Sequence, residues 1–193
     1  MPLHRMTSLA ANPSRGPGII RTVIPERFHL AQVNIALPRA PLDTPLLAEF
    51  IARLDPVNAA ADHSPGFVWR LQTEDGDATG IRAFGDDRLI VNMSVWESLE
   101  ALRSFVYSTR AHLDVLMRRR KWFENLAEMH LALWWIPAGE LPTVADAEER
   151  MALLRAAGPT PDAFTFRVHF PTPASGAAVE AVLDERELCP AGP

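Results

Sequence analysis

The chain has 193 residues, 48% of them hydrophobic and 22% charged, a composition typical of one globular domain with tails. A formal net charge of −5 gives no electrostatic support for nucleic-acid binding, and no apolar run reaches the ~18 residues of a membrane span. The single cysteine, Cys189, lies near the C-terminal end and cannot form an internal disulfide.

Two segments at the ends of the chain differ from the rest in composition. Residues 1–26 and 172–193 are rich in Pro, Ala and Gly without apolar periodicity, which predicts flexible tails around a single domain over 27–171. The first segment also lacks the continuous apolar stretch of a secretory signal. We therefore expect a cytoplasmic protein with neither membrane nor nucleic-acid partners.

The predicted domain begins with a strand and a helix. Residues Phe28–Ala36 predict a strand with aliphatic side chains on one side. Asp43 or Thr44 can cap a helix that is entered through Pro45 and carries apolar residues at helical spacing. We expect this helix to end near Pro56, with a short helical continuation that carries Asn58 and reaches His63.

Two strands and a long helical segment follow. Residues 67–72 and 88–96 predict strands, with a long loop between them that contains an Asp-Gly turn. Helical sequence then runs over 99–126, and we expect a break in it near Ser108-Thr109.

The last predicted elements are a strand, a helix and an edge strand. The strand covers 129–137. Thr143 and Asp146 have the spacing of a capping box, which predicts the start of a helix that reaches Ala157. Residues 163–170 predict a final edge strand.

This order of elements, β-α-β-β-α-β with an added helix and strand, is that of the ferredoxin-like α+β fold. In that fold, helices cover one face of a four-stranded antiparallel sheet. The predicted strands carry apolar residues on both sides, so the second face of the sheet also needs a cover. A second subunit is the simplest cover, and we therefore predict a homodimer.

The segment from 105 to 126 carries the most informative pattern. At 100° per residue, one helical stripe combines apolar, aromatic and basic residues: Phe105, His112, Leu116, Arg119, Phe123 and Leu126. Because burying an unpaired arginine is costly, the stripe predicts a polar-lined cavity between helix and sheet, where His112 is a general acid/base or a metal or haem ligand. Alternatively, His112 bonds a backbone carbonyl, and Arg119 reaches solvent or pairs with an acid.

The strands contribute a second set of candidates. Polar residues alternate with aliphatic ones along the first and third strands: Gln32, Asn34, Asn92 and Ser94. Such residues either belong to a dimer face or, if they face His112, orient a ligand carbonyl or phenol, and we assign Asn34 and Asn92 to the ligand site. Trp69 and Trp96 would be apolar walls of a ligand site, and Tyr107 a hydroxyl donor.

Several familiar catalytic motifs are absent from the sequence. It contains no glycine-rich phosphate loop, GxSxG elbow, HExxH pair or cysteine cluster, and its six histidines show no metal-ligand spacing. We therefore expect no cofactor, with haem on His112 as the alternative.

Seven stretches resemble, in the same order, a bacterial family known only as a domain of unknown function: LAQVNIA, LDPVNAAAD, SPGFVWRLQ, NMSVWES, FVYSTRAH, RRRKWF and LWWIPAGELPTV. The resemblance runs from Phe28 to about Arg167. That family is similar to the antibiotic-biosynthesis-monooxygenase type of dimeric α+β barrel. The resemblance implies a homodimer whose sheets face each other, with a cavity between sheet and helices in each subunit.

Proteins on this barrel include cofactor-independent monooxygenases of aromatic polyketides, isomerases and haem enzymes. The resemblance therefore implies a small-molecule enzyme acting on an apolar or aromatic substrate. In a monooxygenase, His112 would move a proton while Arg119 and the amide of Asn34 or Asn92 hold an oxyanion. In a haem protein, His112 would bind the iron and Arg119 would pair with a propionate or act on the distal side. A dimer that only binds a small ligand is the remaining alternative.

Overall fold

The computed structural model of the protein describes residues 27–175 and 181–183. Its helices and strands are, in chain order, β1 (Phe28–Ala36), α1 (Pro45–Asp62), β2 (Phe67–Arg70), β3 (Ile90–Trp96), α2 (Leu99–Ser108), α3 (Arg110–Trp122), β4 (Leu131–Pro137), α4 (Val144–Ala157), β5 (Val168–His169) and β6 (Val182–Leu183). The predicted N-terminal tail and Cys189 lie outside the described residues.

The four main strands form an antiparallel sheet in the order β2-β3-β1-β4. β1 is central, between β3 and β4, and α1 to α3 pack against one face of the sheet through two clusters of buried side chains. This order confirms the predicted ferredoxin-like α+β fold.

The alternation of side chains along β1 and β3 gives the sheet two different faces. On the helix face, Gln32 lies opposite Ser94 and Asn34 opposite Asn92. On the second face, aliphatic residues such as Val33 are fully buried. Because side chains alternate along a strand, this register brings the polar residues of both strands together beneath the helices.

A bulge in β2 changes the position of a predicted site residue. Phe67 pairs with Trp96 but Trp69 pairs with Val95, so the register shifts by one residue between them. The shift turns Trp69 to the second face, where it packs against the apolar cluster of that face. Trp69 is therefore not beside the helices, contrary to the prediction.

Two helical boundaries test the sequence predictions in opposite ways. The break near Ser108-Thr109 is confirmed, since α2 ends at Ser108 and α3 begins at Arg110. The end near Pro56 is wrong, because α1 runs through Pro56 to Asp62 as one helix, whereas the predicted helical continuation toward His63 is confirmed. The continuation places Val57 and Ala61 against the apolar cluster on the helix face, and this packing offsets the backbone hydrogen bond that proline cannot make.

The second face of the sheet is covered by the same chain. Three residues of α4 that are at most 1% exposed, Ala147, Met151 and Leu154, join the apolar cluster on that face. The segment between β2 and β3 also crosses it, and the backbone N–H of Phe84 donates to Glu148 Oε1 of α4 at 2.6 Å. A partner subunit is therefore not needed as a cover, which removes the reason given for a homodimer.

The C-terminal part of the domain is less regular than predicted. In place of a strand over 163–170, a single bridge joins Phe164 to Leu133 of β4, and β5 has two residues. β5 pairs with β6, which lies within the segment predicted as a tail.

The capping box at the start of α4 makes a stability prediction. Thr143 Oγ1 accepts from the Asp146 backbone N–H at 3.2 Å, and Asp146 Oδ2 accepts from the Thr143 N–H at 2.8 Å. We expect Thr143→Ala to lower the free energy of unfolding by about 1 kcal/mol, measured by urea denaturation. Thr109→Ala is the matched control, since Thr109 caps α3 without a side-chain hydrogen bond. Equal losses in the two variants would contradict the prediction.

Candidate functional site

A cavity of about 620 Å³ lies between α1, α2, α3 and the helix face of the sheet. Its walls are mainly apolar and aromatic, with Phe50, Phe67, Trp96 and Phe105 among them. Phe105 stacks on Trp96 with ring centroids 5.1 Å apart, and Phe67 meets Trp96 edge-on at 5.3 Å. A cavity of this size and lining suits a small aromatic molecule.

The floor of the cavity carries a buried polar network on the sheet. Trp96 Nε1–H donates to Ser94 Oγ at 2.9 Å, and Ser94 Oγ–H donates to Gln32 Oε1 at 2.9 Å. Gln32 and Ser94 are the buried polar residues of the described chain, 6% and 8% exposed. These hydrogen bonds hold the three side chains in fixed positions beneath the cavity.

His112 lines the cavity from the first turn of α3. Its Nδ1 lies 3.0 Å from the backbone carbonyl of Val106, and its ring centroid lies 5.0 Å from that of Phe105. Because a carbonyl can only accept, Nδ1 carries the proton, and Nε2 of the neutral ring is left as an acceptor. The two alternatives from the sequence therefore coincide, since His112 bonds a carbonyl and also lines a cavity.

Burial lowers the pKa of His112 below its ordinary value of 6.5, and the hydrogen bond to Val106 opposes this only in part. An apolar environment disfavours the charged imidazolium. The ring is consequently neutral at pH 7, and Nε2 is able to accept a proton.

The rim of the cavity is rich in arginine. Arg70 is the last residue of β2. Its guanidinium donates to Asp62 Oδ1 at 2.9 Å and to the Gly76 carbonyl at 2.6 Å. Arg119 is exposed, and its guanidinium donates to the Leu116 carbonyl at 3.4 Å. Of the two alternatives from the sequence, the one in which Arg119 reaches solvent agrees with the structure: the side chain is exposed and contributes to the cavity only at its rim.

Eight of the nine predicted site residues line the cavity: Asn34, Asn92, Trp96, Tyr107, His112, Leu116, Arg119 and Phe123. Asn92 and Tyr107 are exposed at its open side, and Trp69 lies on the second face of the sheet. Gln32 and Ser94 also line the cavity, but the predicted site did not include them. The alternation along β1 and β3 contained that information, since both residues share a face with Asn34 and Trp96.

Two features are absent from the part of the chain that the structure describes, a metal-binding cluster and a membrane-spanning helix. Within 27–175 and 181–183, no group of three or more His, Cys, Asp or Glu side chains is arranged to hold a metal ion. No helix in that part of the chain has both the length and the apolar character that crossing a bilayer requires.

Comparison with protein families matches residues 29–180 to a family described as a domain of unknown function, DUF3291. The chain belongs to this family, and the resemblance found in its sequence is confirmed. No curated protein matches the chain.

Several solved structures are similar to this chain over most of their own length. SnoaB from Streptomyces nogalater, described as a cofactor-independent oxygenase, is 20% identical with a TM-score of 0.40, over 60% of this chain and 98% of SnoaB. PA3566 from Pseudomonas aeruginosa is 13% identical with a TM-score of 0.40, over 61% and 98%. A protein from Chloroflexus aurantiacus J-10-fl, named provisionally as an antibiotic biosynthesis monooxygenase, is 15% identical with a TM-score of 0.37, over 60% and 98%. At these values the likenesses carry no argument about activity.

Proposed function

We propose that this member of the family is an enzyme that removes a proton from a small aromatic substrate in the cavity between helices and sheet. The observation that carries the proposal is the state of His112. Its Nδ1–H is held by the Val106 carbonyl, and burial lowers its pKa, so that Nε2 is a base at neutral pH. A neutral histidine in an aromatic cavity suits a substrate with a weakly acidic C–H or O–H group.

The reaction type we propose is cofactor-independent monooxygenation, with an anthrone as the model substrate. His112 Nε2 takes a proton from the ring CH₂ group, and the carbanion spreads its charge onto the carbonyl oxygen. The carbanion passes one electron to O₂. The substrate radical and superoxide then combine to a peroxide anion, which His112 protonates. Loss of the second C–H proton and of hydroxide, together one water, leaves a new C=O group. One anthrone and one O₂ thus give one anthraquinone and one water.

The other residues of the cavity contribute binding and charge stabilisation. Trp96 and Phe105 pack against the rings and exclude water, which strengthens electrostatic interactions inside the cavity. Arg119 at the rim and the amide of Asn34 on the floor are donors for oxygen atoms of the substrate. We assign the specificity for aromatic molecules to the stacked ring walls.

The proposal predicts oxygen consumption by the purified protein with anthrone. We expect uptake of one O₂ for each anthraquinone formed, with no added metal, flavin or nicotinamide, measured with an oxygen electrode and by chromatography. Protein unfolded by heat is the control for the spontaneous oxidation of anthrone. A rate equal to that control would contradict the oxygenase, and binding of anthraquinone without turnover would favour a ligand-binding protein.

Haem binding through His112 is a second candidate, favoured by one observation. A histidine that ligates a metal commonly donates its other ring N–H to a carbonyl or carboxylate, as Nδ1 of His112 does to Val106. In that case His112 would hold the iron and arginines of the rim, such as Arg53 and Arg70, would face the propionates. A Soret band in the purified protein that disappears in His112→Ala would favour haem over the oxygenase.

We retain the homodimer as part of the proposal, on the resemblance to dimeric barrels alone. Its interface would have to use a surface other than the second face of the sheet, because α4 and the segment between β2 and β3 already cover that face.

A further inference from the structure

We propose that Gln32 recognises an oxygen atom of the substrate, so that the cavity selects molecules with a ketone, quinone, phenolate or enolate oxygen. This inference rests on the proposed function and names the substrate class of the same site. The direction of the hydrogen bonds on the cavity floor supports this assignment.

The direction of these bonds is fixed by what each group can donate. The indole N–H of Trp96 can only donate, so Ser94 Oγ is the acceptor at 2.9 Å. The Ser94 hydroxyl then has its own proton to donate, and the atom at 2.9 Å is Gln32 Oε1. With the Gln32 amide reversed, Ser94 would accept twice and its buried proton would have no acceptor. The network is satisfied only with the oxygen of Gln32 turned to Ser94.

The amide nitrogen of Gln32 is able to donate to a ligand, because the amide oxygen is the atom that bonds Ser94. Gln32 lines the cavity and is 6% exposed, and among the described residues no hydrogen bond uses its Nε2. Its two N–H groups therefore remain donors on the floor of a cavity whose walls are mainly apolar. A ligand that fills the cavity without an acceptor would bury these N–H groups unpaired, which is costly, so the cavity favours a ligand that brings an acceptor to this position.

The chemistry of the ligand follows from this donor. An oxygen without a proton of its own, as in a ketone or a phenolate, accepts from the amide, whereas a hydrocarbon of the same shape leaves the amide unpaired. In the proposed reaction, the carbonyl oxygen of the anthrone becomes negatively charged when His112 removes the proton. A donor held in place by Ser94 and Trp96 then stabilises that charge without having to reorient. Gln32 thus acts on the substrate, while Ser94 and Trp96 are positioning residues.

Binding of a matched pair of ligands tests the inference independently of turnover. The probes are 1-tetralone and tetralin, which share a ring system and differ by one carbonyl group, with dissociation constants measured by ligand-detected NMR. We expect Gln32→Leu to reduce the preference for 1-tetralone over tetralin about three- to tenfold, the equivalent of one hydrogen bond. Gln72→Leu is the matched control, since Gln72 is the other glutamine of the chain, is exposed and does not line the cavity.

A second measurement uses the unaltered protein, in case Gln32→Leu does not fold. With two glutamines in the chain, the side-chain NH₂ signals of Gln32 can be assigned in a ¹H–¹⁵N spectrum. We expect 1-tetralone to shift the Gln32 NH₂ signals downfield. Tetralin should not shift them, and neither ligand should shift the signals of Gln72. The inference is overturned if wild type and Gln32→Leu prefer 1-tetralone over tetralin to the same degree, or if 1-tetralone causes no downfield shift of the Gln32 signals. Neither result affects the proposed function, which oxygen uptake with anthrone tests. Failure of the wild type to bind either probe also overturns the inference, and oxygen uptake with anthrone then decides on the proposed function separately.

Discussion

Replacing His112 by asparagine is expected to lower the rate of anthrone oxidation by about 100-fold or more, the usual contribution of a general base. Asparagine can still donate to the Val106 carbonyl and so retains the one hydrogen bond of the ring, but it cannot accept a proton. The variant therefore removes the base and keeps the local structure. The measurement is kcat from initial rates of oxygen uptake, with folding checked by circular dichroism.

His63→Asn is the matched control for this variant. His63 Nδ1 also bonds a carbonyl, that of Ala59 at 2.7 Å, but the ring is exposed and does not line the cavity. We expect its kcat to stay within a factor of two of wild type. An unchanged rate in His112→Asn, or an equal loss in both variants, would remove His112 from the mechanism.

The lowered pKa of His112 also sets the direction of two pH effects. The rate requires the neutral ring, so activity is expected to persist below pH 6.5 and to fall only as the pH passes through the lowered pKa. For stability, the unfolded chain binds a proton near pH 6.5 that the folded protein does not yet bind. The free energy of unfolding of wild type relative to His112→Asn is therefore expected to decrease as the pH falls from about 6.5 toward the lowered pKa.

Features that depend on local sequence were predictable. β1 has the predicted bounds, Phe28–Ala36, because its alternation of side chains is unbroken. The helix break at Thr109 and the capping box of Thr143 and Asp146 follow from residues within three positions of each other. The cavity residues His112 and Asn34 were found for the same reason, since helical and strand periods place them on known faces.

Features that depend on distant contacts were not predictable from these patterns. The bulge that turns Trp69 away from the cavity is a property of its pairing with β3, and no residue near Trp69 marks it. That α1 passes Pro56 as one continuous helix depends on the packing of Val57 and Ala61 against the apolar cluster of the helix face. The role of α4 was missed because its sequence shows a helix but does not show against which surface that helix packs.

The packing of α4 on the second face of the sheet leads to the largest expected effect on stability. Leu154 is fully buried in α4, within a cluster that also contains Met93 and Trp134 of the sheet. Shortening a fully buried leucine removes its apolar contacts and leaves a cavity, because the surrounding side chains close it only in part. We expect Leu154→Ala to lower the free energy of unfolding by about 2–5 kcal/mol.

Urea denaturation of Leu154→Ala and of Leu141→Ala at one protein concentration measures this effect. Leu141 undergoes the same chemical change but is 52% exposed, so its loss is expected to stay within about 0.5 kcal/mol. If the free energy of unfolding falls as little in Leu154→Ala as in Leu141→Ala, then α4 does not cover the sheet in solution. The second face would then be apolar and open, and a second subunit would again be the simplest cover for it.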